Sequence, residues 1–356
     1  MFTIEIIPYK LRFRKPAGTS RGVYHEHKVW YVLFRDSRDA SRYGMGECAP
    51  LPGLSCDFGD NYAETLARLC RSTEEKQQVD TDLLRNYPSI LFGLETAERH
   101  YRQRSLQLWN TPFGRGEAGI PINGLIWMGE YDDMKQQAAN LLERDFGCIK
   151  LKIGAIGFDR EVELLQFIRD RYPAEKITLR VDANGAFGFG EARGKLQKLA
   201  GLHIHSIEQP IRAGQWAEMA RLCASSPLPI ALDEELIGIH HPEEKKNLLD
   251  TIRPQYIILK PTLHGGISGC NEWIALARER QIGWWITSAL ESNIGLNSIA
   301  QWCATLNNPL PQGLGTGTLY SNNIPFPLKI KNGHLWFNPQ GNFPDKHLKE
   351  YEQHHC

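Results

Sequence analysis

The sequence predicts an α/β chain in which a parallel (β/α)8-type barrel, TIM-like, follows an α+β segment. Three observations carry this. Eight short apolar runs recur from residue 120 onward, with amphipathic segments of helical period between them. The first 45 residues alternate apolar and polar positions as antiparallel strands do. No dinucleotide-binding glycine fingerprint is present, which disfavours an open doubly wound sheet.

The bulk composition narrows the function classes. At 356 residues the chain can bury a large core, in two domains or in one barrel with additions. It is 42% hydrophobic and 23% charged, and 41 Lys plus Arg balance 41 Asp plus Glu. No net charge argues for nucleic acid or an anionic membrane surface, so a small molecule in a pocket is the expected partner. Eight cysteines include no Cys-x-x-Cys pair, and free thiols in a reducing compartment are expected. The start, "MFTIEIIPYKLRFRKPAG", lacks a long apolar signal core, and no apolar run approaches the roughly 20 residues of a membrane span. The expectation is a soluble cytoplasmic protein.

In chain order, "FTIEIIPYKLRF" and "HKVWYVLFRD" read as strands joined by "RKPAGTSRGVYHE". The turn-rich "YGMGECAPLPGLSCDFGD" follows, then helical patterns over 60–73 and 90–105. Strands followed by helices make an α+β domain over 1–115. The barrel runs are 120–127, 148–154, 177–185, 204–210, 228–235, 256–262, 283–290 and 312–317, with helical segments such as 159–172 and 270–281 between them. Eight units close a (β/α)8 barrel, or the modified (β/α)7β form without a regular last helix, over 116–319. "NIPFPLKIKNGHLWFNPQ" has hairpin character at Asn332–Gly333 and is expected to return to the N-terminal domain, completing it with residues from about 320 to 356. His354, His355 and Cys356 in the tail could ligate a metal, against the plainer reading of a solvated tail.

Parallel barrel strands are buried on both faces and should be apolar, so polar residues at their C-terminal ends are informative. In "IKLKIG", Lys150 and Lys152 share one face at period two. "LRVDAN" places Arg180, Asp182 and Asn184 on one face. Later runs end in Glu208, in Asp233 and Glu234, in Lys260, and in Thr287 and Ser288 followed by Glu291, Ser292 and Asn293. With the register as read, these groups converge on one cavity.

Asp182, Glu208 and Asp233 come from consecutive strands. Three carboxylates in a dry pocket repel unless they protonate or hold a cation, and an all-oxygen set without His or Cys suits Mg²⁺. The alternative is that each pairs with a local Arg or Lys. Lys152 and Lys260 face each other across the barrel. A lysine beside another lysine and a divalent cation is disfavoured as ammonium, which makes it a usable base, and Lys150 is the neighbour expected to supply that field. Structural ion pairs are again the alternative. The chemistry that fits is removal of a proton from the carbon next to a carboxylate.

The ordered motifs "IKLKIG", "LRVDANGAF", "IEQP", "IALDEE", "ILKPTLHGG" and "TSALESNIG" resemble the muconate-lactonizing branch of the enolase superfamily, and the N-terminal segment resembles its capping domain. The resemblance implies Asp182, Glu208 and Asp233 as Mg²⁺ ligands, with Mn²⁺ as a substitute. It implies Lys152 as acid/base, Lys260 as its counterpart on the opposite face, and Glu234 behind the ligands. Within the branch, "YGMGECAPLPGLS", "PINGLI" and "LRVDANGAF" look like the o-succinylbenzoate synthase family. That likeness implies a lyase of menaquinone biosynthesis that dehydrates a small dicarboxylate, 2-succinyl-6-hydroxy-2,4-cyclohexadiene-1-carboxylate, to o-succinylbenzoate. The stretch "GLGTGTLYSNN" has no carboxylate for a substrate ammonium, as dipeptide epimerases have in that region. Around Gly315 it could receive a carboxylate through backbone N–H and Thr hydroxyls, or be merely a tight turn. Thr287 and Ser288 are further candidates for the succinyl carboxylate. Arg180 either orients Lys150 or the carboxylates, or is purely structural. Rival readings are an N-succinylamino acid racemase using the same lysines, and a non-enzymatic binding barrel.

Overall fold

Apolar and polar residues alternating through much of 2–13, and the unbroken apolar run Val29–Phe34, make a long antiparallel pair, β1 (Phe2–Thr19) and β2 (Gly22–Asp36). The computed structural model describes residues 1–19, 22–39 and 41–341. The segment expected as a connection, 14–26, is mostly strand. The ladder is irregular between Arg12 and Ala17, which accommodates Pro16, and then resumes to Thr19–Gly22. A third strand, β3 (Tyr43–Cys48), pairs with β2 from Trp30–Cys48 to Arg35–Tyr43.

This sheet is buried on both faces. Trp30, Val32 and Phe34 point toward helices α1 (Tyr62–Lys76) and α3 (Pro88–Gln103), joined by a one-turn helix α2 (Thr81–Leu84). Val29, Tyr31 and Leu33 point the other way, against Ile294, Tyr320 and Ile324. Helix α3 lies backbone to backbone on β3. A Cβ at Gly46 would stand 1.9 Å from the Gly93 carbonyl oxygen, so this contact requires glycine.

After a two-residue strand β4 (Ile120–Pro121), the barrel strands are β5 (Gly124–Ile126), β6 (Cys148–Lys152), β7 (Thr178–Asp182), β8 (Ser206–Glu208), β9 (Ile230–Leu232), β10 (Tyr256–Leu259) and β11 (Gly283–Ile286). Helices α4 (Tyr131–Leu142), α5 (Phe158–Arg169), α6 (Phe189–Ala200), α7 (Trp216–Ser225), α8 (Pro242–Ile252), α9 (Gly266–Glu279) and α10 (Asn293–Cys303) alternate with them. Strands β5 to β11 form a seven-stranded parallel sheet in sequential order. The eighth run closes it with bridges rather than a strand: Gln312 pairs with Ile122 and Gly313 with Thr287, both parallel. Gly313 permits this, because a Cβ there would lie 2.5 Å from Thr287 Oγ1. A short 3₁₀ turn, Thr316–Thr318, follows in place of a helix, which is the (β/α)7β form.

The terminal hairpin is present, with β12 (Leu328–Lys331) and β13 (His334–Phe337) joined through Asn332 and Gly333 at positive φ. Its position differs from the expectation. Strand β13 pairs with β4 at the barrel, His334 with Pro121 and Leu335 with Ile120, because Leu335 and Phe337 belong to the barrel core. Only the preceding segment returns to β1, where Arg14 N–H donates to Leu319 O and Ser321 N–H to Arg12 O. His354, His355 and Cys356 lie outside the described residues. The seven described cysteines are free thiols, and among the described residues no helix is long and apolar enough to cross a membrane.

Two carboxylates, one fully buried and one half-buried, fasten the outer sheet and its helix to the barrel. Glu95 of α3 accepts from the N–H groups of Ile267 (2.8 Å) and Ser268 (3.2 Å) at the start of α9. Glu47 of β3 accepts from Ser292 N–H (2.8 Å), Ser292 Oγ–H (2.6 Å) and Gly295 N–H (2.8 Å) at the start of α10. Both satisfy orphan donors at a helix N-terminus, where negative charge is favoured. Burial nevertheless outweighs these donors and pushes each carboxyl up to about 7. A carboxyl raised in the fold stabilises most where both states are protonated, and that contribution fades as pH climbs from about 4.5 to about 7. Between pH 5 and 8, wild type should therefore lose stability relative to the Glu47→Gln/Glu95→Gln variant, by up to about 3 kcal/mol per carboxyl. Urea unfolding at several pH values measures this, and parallel stability curves would refute the assignment.

Candidate active site

Period-two alternation turns Ile149 and Leu151 toward the helices and leaves Lys150 and Lys152 on the other side of β6. The parallel register places Lys150 beside Arg180, and Lys152 beside Asp182, which stands beside Glu208. A row of charge thus crosses β6, β7 and β8. Asp233 and Lys260 follow the ends of β9 and β10.

The lysines hold the carboxylates in pairs. Lys150 Nζ donates to Glu208 Oε2 (2.5 Å) and lies 2.8 Å from Asp182 Oδ2. Lys260 Nζ donates to Asp233 Oδ2 and lies 3.9 Å from Glu208 Oε1. Lys152 Nζ donates to Asn184 Oδ1 (2.8 Å) and Asp182 Oδ2 (3.1 Å). Asn184 is held in turn: its N–H donates to Asp182 Oδ1, and its Nδ2 to Glu234 Oε1 (2.9 Å). Its φ of +44° is a left-handed conformation that asparagine tolerates better than most residues.

Burial disfavours charge throughout this cluster, and pairing decides each outcome. It opposes ionisation of Asp182, but Lys150 and Lys152 outweigh it and hold that carboxyl well below its usual range. Burial and the Asp182 charge together push Glu208 up. For Lys150, burial is overcome by Asp182 and Glu208, which raise it; for Lys260, by Asp233 and Glu208. Of the two sequence readings of Lys150, a neighbour lending its field to Lys152 or a member of ion pairs, the geometry shows the pairing: Lys150 bridges Asp182 and Glu208.

A cavity of about 240 Å³ opens above the cluster. Lys150, Lys152, Asn184, Glu234, Lys260, Thr287, Ser288 and Gly315 line it, and Tyr24, Leu51 and Leu54 approach from the outer sheet and its loop. Asp182, Glu208 and Asp233 are buried beneath the lysines. Ser288 Oγ and Thr316 Oγ1 are 2.6 Å apart at the wall. Arg180 lies elsewhere. One layer down, its Nη1 donates to Pro311 O (2.8 Å), and its guanidinium stacks 4.0 Å over Trp285. Neither contact orients Lys150 or a carboxylate, so Arg180 fills the structural alternative, tying β7 to the segment that closes the barrel.

Several residues here escape sequence reasoning. Gln209, fully buried at φ +41°, accepts through Oε1 from the N–H groups of Asp233 (3.2 Å) and Glu235 (3.3 Å) and donates to Glu235 Oε2 and Ile211 O. It fixes the turn that aims Asp233. His264 Nδ1 accepts from Lys260 N–H (2.9 Å), and burial lowers the ring to about 3, keeping it neutral. Glu291 accepts from Thr262 Oγ–H and from Ala289 N–H, bracing the loop after β11. A polar residue at an apolar strand end was a readable signal for Gln209, and Glu291 stood out after the seventh run although its bracing role did not; His264 becomes recognisable only through contacts in space.

Comparison with known proteins places this geometry in context. The enolase C-terminal domain-like family matches residues 133–341. A protein of Desulfotalea psychrophila named o-succinylbenzoate synthase is 46% identical over 360 residues, covering 91% of this chain and 96% of that protein. The crystal structure of MenC from the same organism superposes with a TM-score of 0.82 at 40% identity, covering 94% of this chain and 99% of that one. An N-succinylamino acid racemase of Thermus thermophilus is 32% identical over 299 residues, covering 81% of this chain and 77% of that protein.

Gln209→Ala would leave two buried N–H groups without acceptors and should destabilise the fold by about 1–3 kcal/mol. Urea unfolding measures the change, and a variant of wild-type stability would show that Gln209 does not hold this turn.

Proposed function

The chain belongs to the enolase C-terminal domain-like family, and we propose that it is a cytoplasmic lyase of menaquinone biosynthesis. It dehydrates 2-succinyl-6-hydroxy-2,4-cyclohexadiene-1-carboxylate to o-succinylbenzoate. The observation that carries this is the pair of lysines, Lys152 and Lys260, standing on either side of three buried carboxylates beneath one cavity. The 46% identity to a named o-succinylbenzoate synthase over nearly the whole chain supports the choice of substrate. The barrel unit is taken as 116–319 with the terminal hairpin β12–β13, and the capping unit as 1–115 with the short segment around 320 that returns to β1, and neither nucleic acid nor membrane is a partner.

Members of the enolase superfamily use a divalent metal. Among the described residues no three ligand side chains enclose an ion by themselves, since lysine ammoniums bridge the carboxylates. The donor chemistry nonetheless fits one. Glu208 Oε1 and Asp233 Oδ1 are buried and accept no hydrogen bond, and orphaned anionic oxygens suit a hard cation. Asp182, Glu208 and Asp233 would hold Mg²⁺, or Mn²⁺ in its place. Bound there, the metal supplies Lewis-acid stabilisation of charge developing on the substrate carboxylate.

Lys152, as free amine, removes the proton from the ring carbon bearing the carboxylate. The C–H electron pair forms the new ring double bond as the C–O bond at the hydroxyl-bearing carbon breaks. Lys152 returns its proton to the departing hydroxide, which leaves as water. Asn184, fixed by Glu234, holds the Lys152 nitrogen in place through both states. Lys260 stays ammonium on the opposite ring face and steadies the developing negative charge, partly as a cation–π contact. Thr287, Ser288 and the backbone near Gly315 receive the succinyl carboxylate at the cavity wall.

The same lysines could exchange a proton on either face of an N-succinylamino acid, and the 32% identity to a racemase favours that as the second reading. Turnover of the cyclohexadiene substrate should require Mg²⁺, and Lys152→Ala should lower kcat by at least about 10²-fold while the fold is retained. Full activity of Lys152→Ala would refute the base assignment. Racemisation of N-succinyl-phenylglycine in heavy water without any dehydratase activity would select the second reading.

A further inference from the structure

The loop after β11 faces the cavity with Thr287, Ser288, Ala289 and Leu290. Its backbone is unfavourable: Leu290 stands at φ +67°, a left-handed conformation that leucine avoids. Three groups grip the loop from outside the barrel strands. Tyr320 Oη–H donates to Leu290 O (2.6 Å), and His27 Nδ1 lies 3.1 Å from the same oxygen. Two residues on, Glu47 takes the Ser292 N–H, the Ser292 hydroxyl and the Gly295 N–H.

His27 also reaches the facing wall. Its Nε2 lies 3.1 Å from Pro50 O, at the start of the loop that brings Leu51 and Leu54 to the cavity. Burial lowers His27 to about 4, so at neutral pH the ring carries one proton and donates to one carbonyl at a time. Glu291 braces the loop from within through Ala289 N–H. None of His27, Glu47 and Tyr320 lines the cavity, yet together they fix the backbone that presents Ser288 and Leu290 to it. His27 of β2 and Glu47 of β3 therefore act on the substrate wall from behind it, whereas Lys152 and Lys260 belong to other strands and loops.

We propose that His27, Glu47 and Tyr320 are positioning residues that hold the loop Thr287–Ser292, with Leu290 in its left-handed conformation, so that Ser288 and Leu290 keep their places in the cavity wall. The kinetic arm of the test rests on the proposed dehydration; an exchange arm does not. Glu47→Gln and Tyr320→Phe should each raise KM for the cyclohexadiene substrate by roughly 5- to 20-fold and leave kcat within about 3-fold. Backbone amides of 288–295 should exchange with deuterium faster in both variants. Glu95→Gln, at the same domain contact but on α3 facing the start of α9, should change neither KM nor that exchange. If Glu47→Gln does not fold, Tyr320→Phe, which removes one hydroxyl, carries the test. An unchanged KM in an active variant overturns the inference, as does an equal rise in Glu95→Gln. A wild-type chain without dehydratase activity overturns the functional reading instead, and the exchange rates of 288–295 then decide the clamp alone.

Discussion

Three carboxylates and three lysines share the buried mouth of one barrel, and the rest of the structure is arranged around keeping that charge balanced. An unpaired ion there would cost several kcal/mol in lost hydration. Balance depends on register, because Lys152, Asp182 and Glu208 stand in one row only while β6, β7 and β8 pair as they do. A one-residue slip would turn these charges into the apolar layer beneath the helices. The hydrophobic shell of Leu151, Val181 and Ile207 therefore does more than stabilise: it fixes which face of each strand carries charge.

The outer sheet is the second constraint. Strand β2 uses both of its faces, one for α1 and α3 and one for the barrel side, so the two units share a strand with no solvent-facing side over Val29–Phe34. Carboxylates on helix N-termini fasten that contact. The same elements supply cavity walls through Tyr24, Leu51 and Leu54, so packing of the outer unit and shape of the cavity are one problem.

Much of this was legible in the sequence. The barrel runs stood out because parallel strands are apolar throughout, and the same rule made Lys150, Lys152, Asp182, Glu208 and Asp233 conspicuous as exceptions. The structure gathers these residues at one end of the sheet. What resisted reading depends on neighbours distant in sequence. Lys150 bridges carboxylates on two other strands, and Arg180 stacks on Trp285 from β11; neither partner follows from spacing. The terminal hairpin was visible from Asn332–Gly333, but its partner β4 is two residues long and reads in the sequence as the start of the barrel run 120–127 rather than as a separate strand. The extent of β1 and β2 was underestimated because proline and glycine in 14–26 suggest a loop, whereas an irregularity in the ladder absorbs them.

The central claim is that Asp182, Glu208 and Asp233, now neutralised by lysines, form the site at which a divalent cation and the substrate meet. The most direct measurement is a crystal structure of the chain grown with Mg²⁺ and o-succinylbenzoate. The account predicts metal density bound by those three carboxylates, with the product ring between Lys152 and Lys260. Metal bound elsewhere, or product bound away from the two lysines, would contradict it.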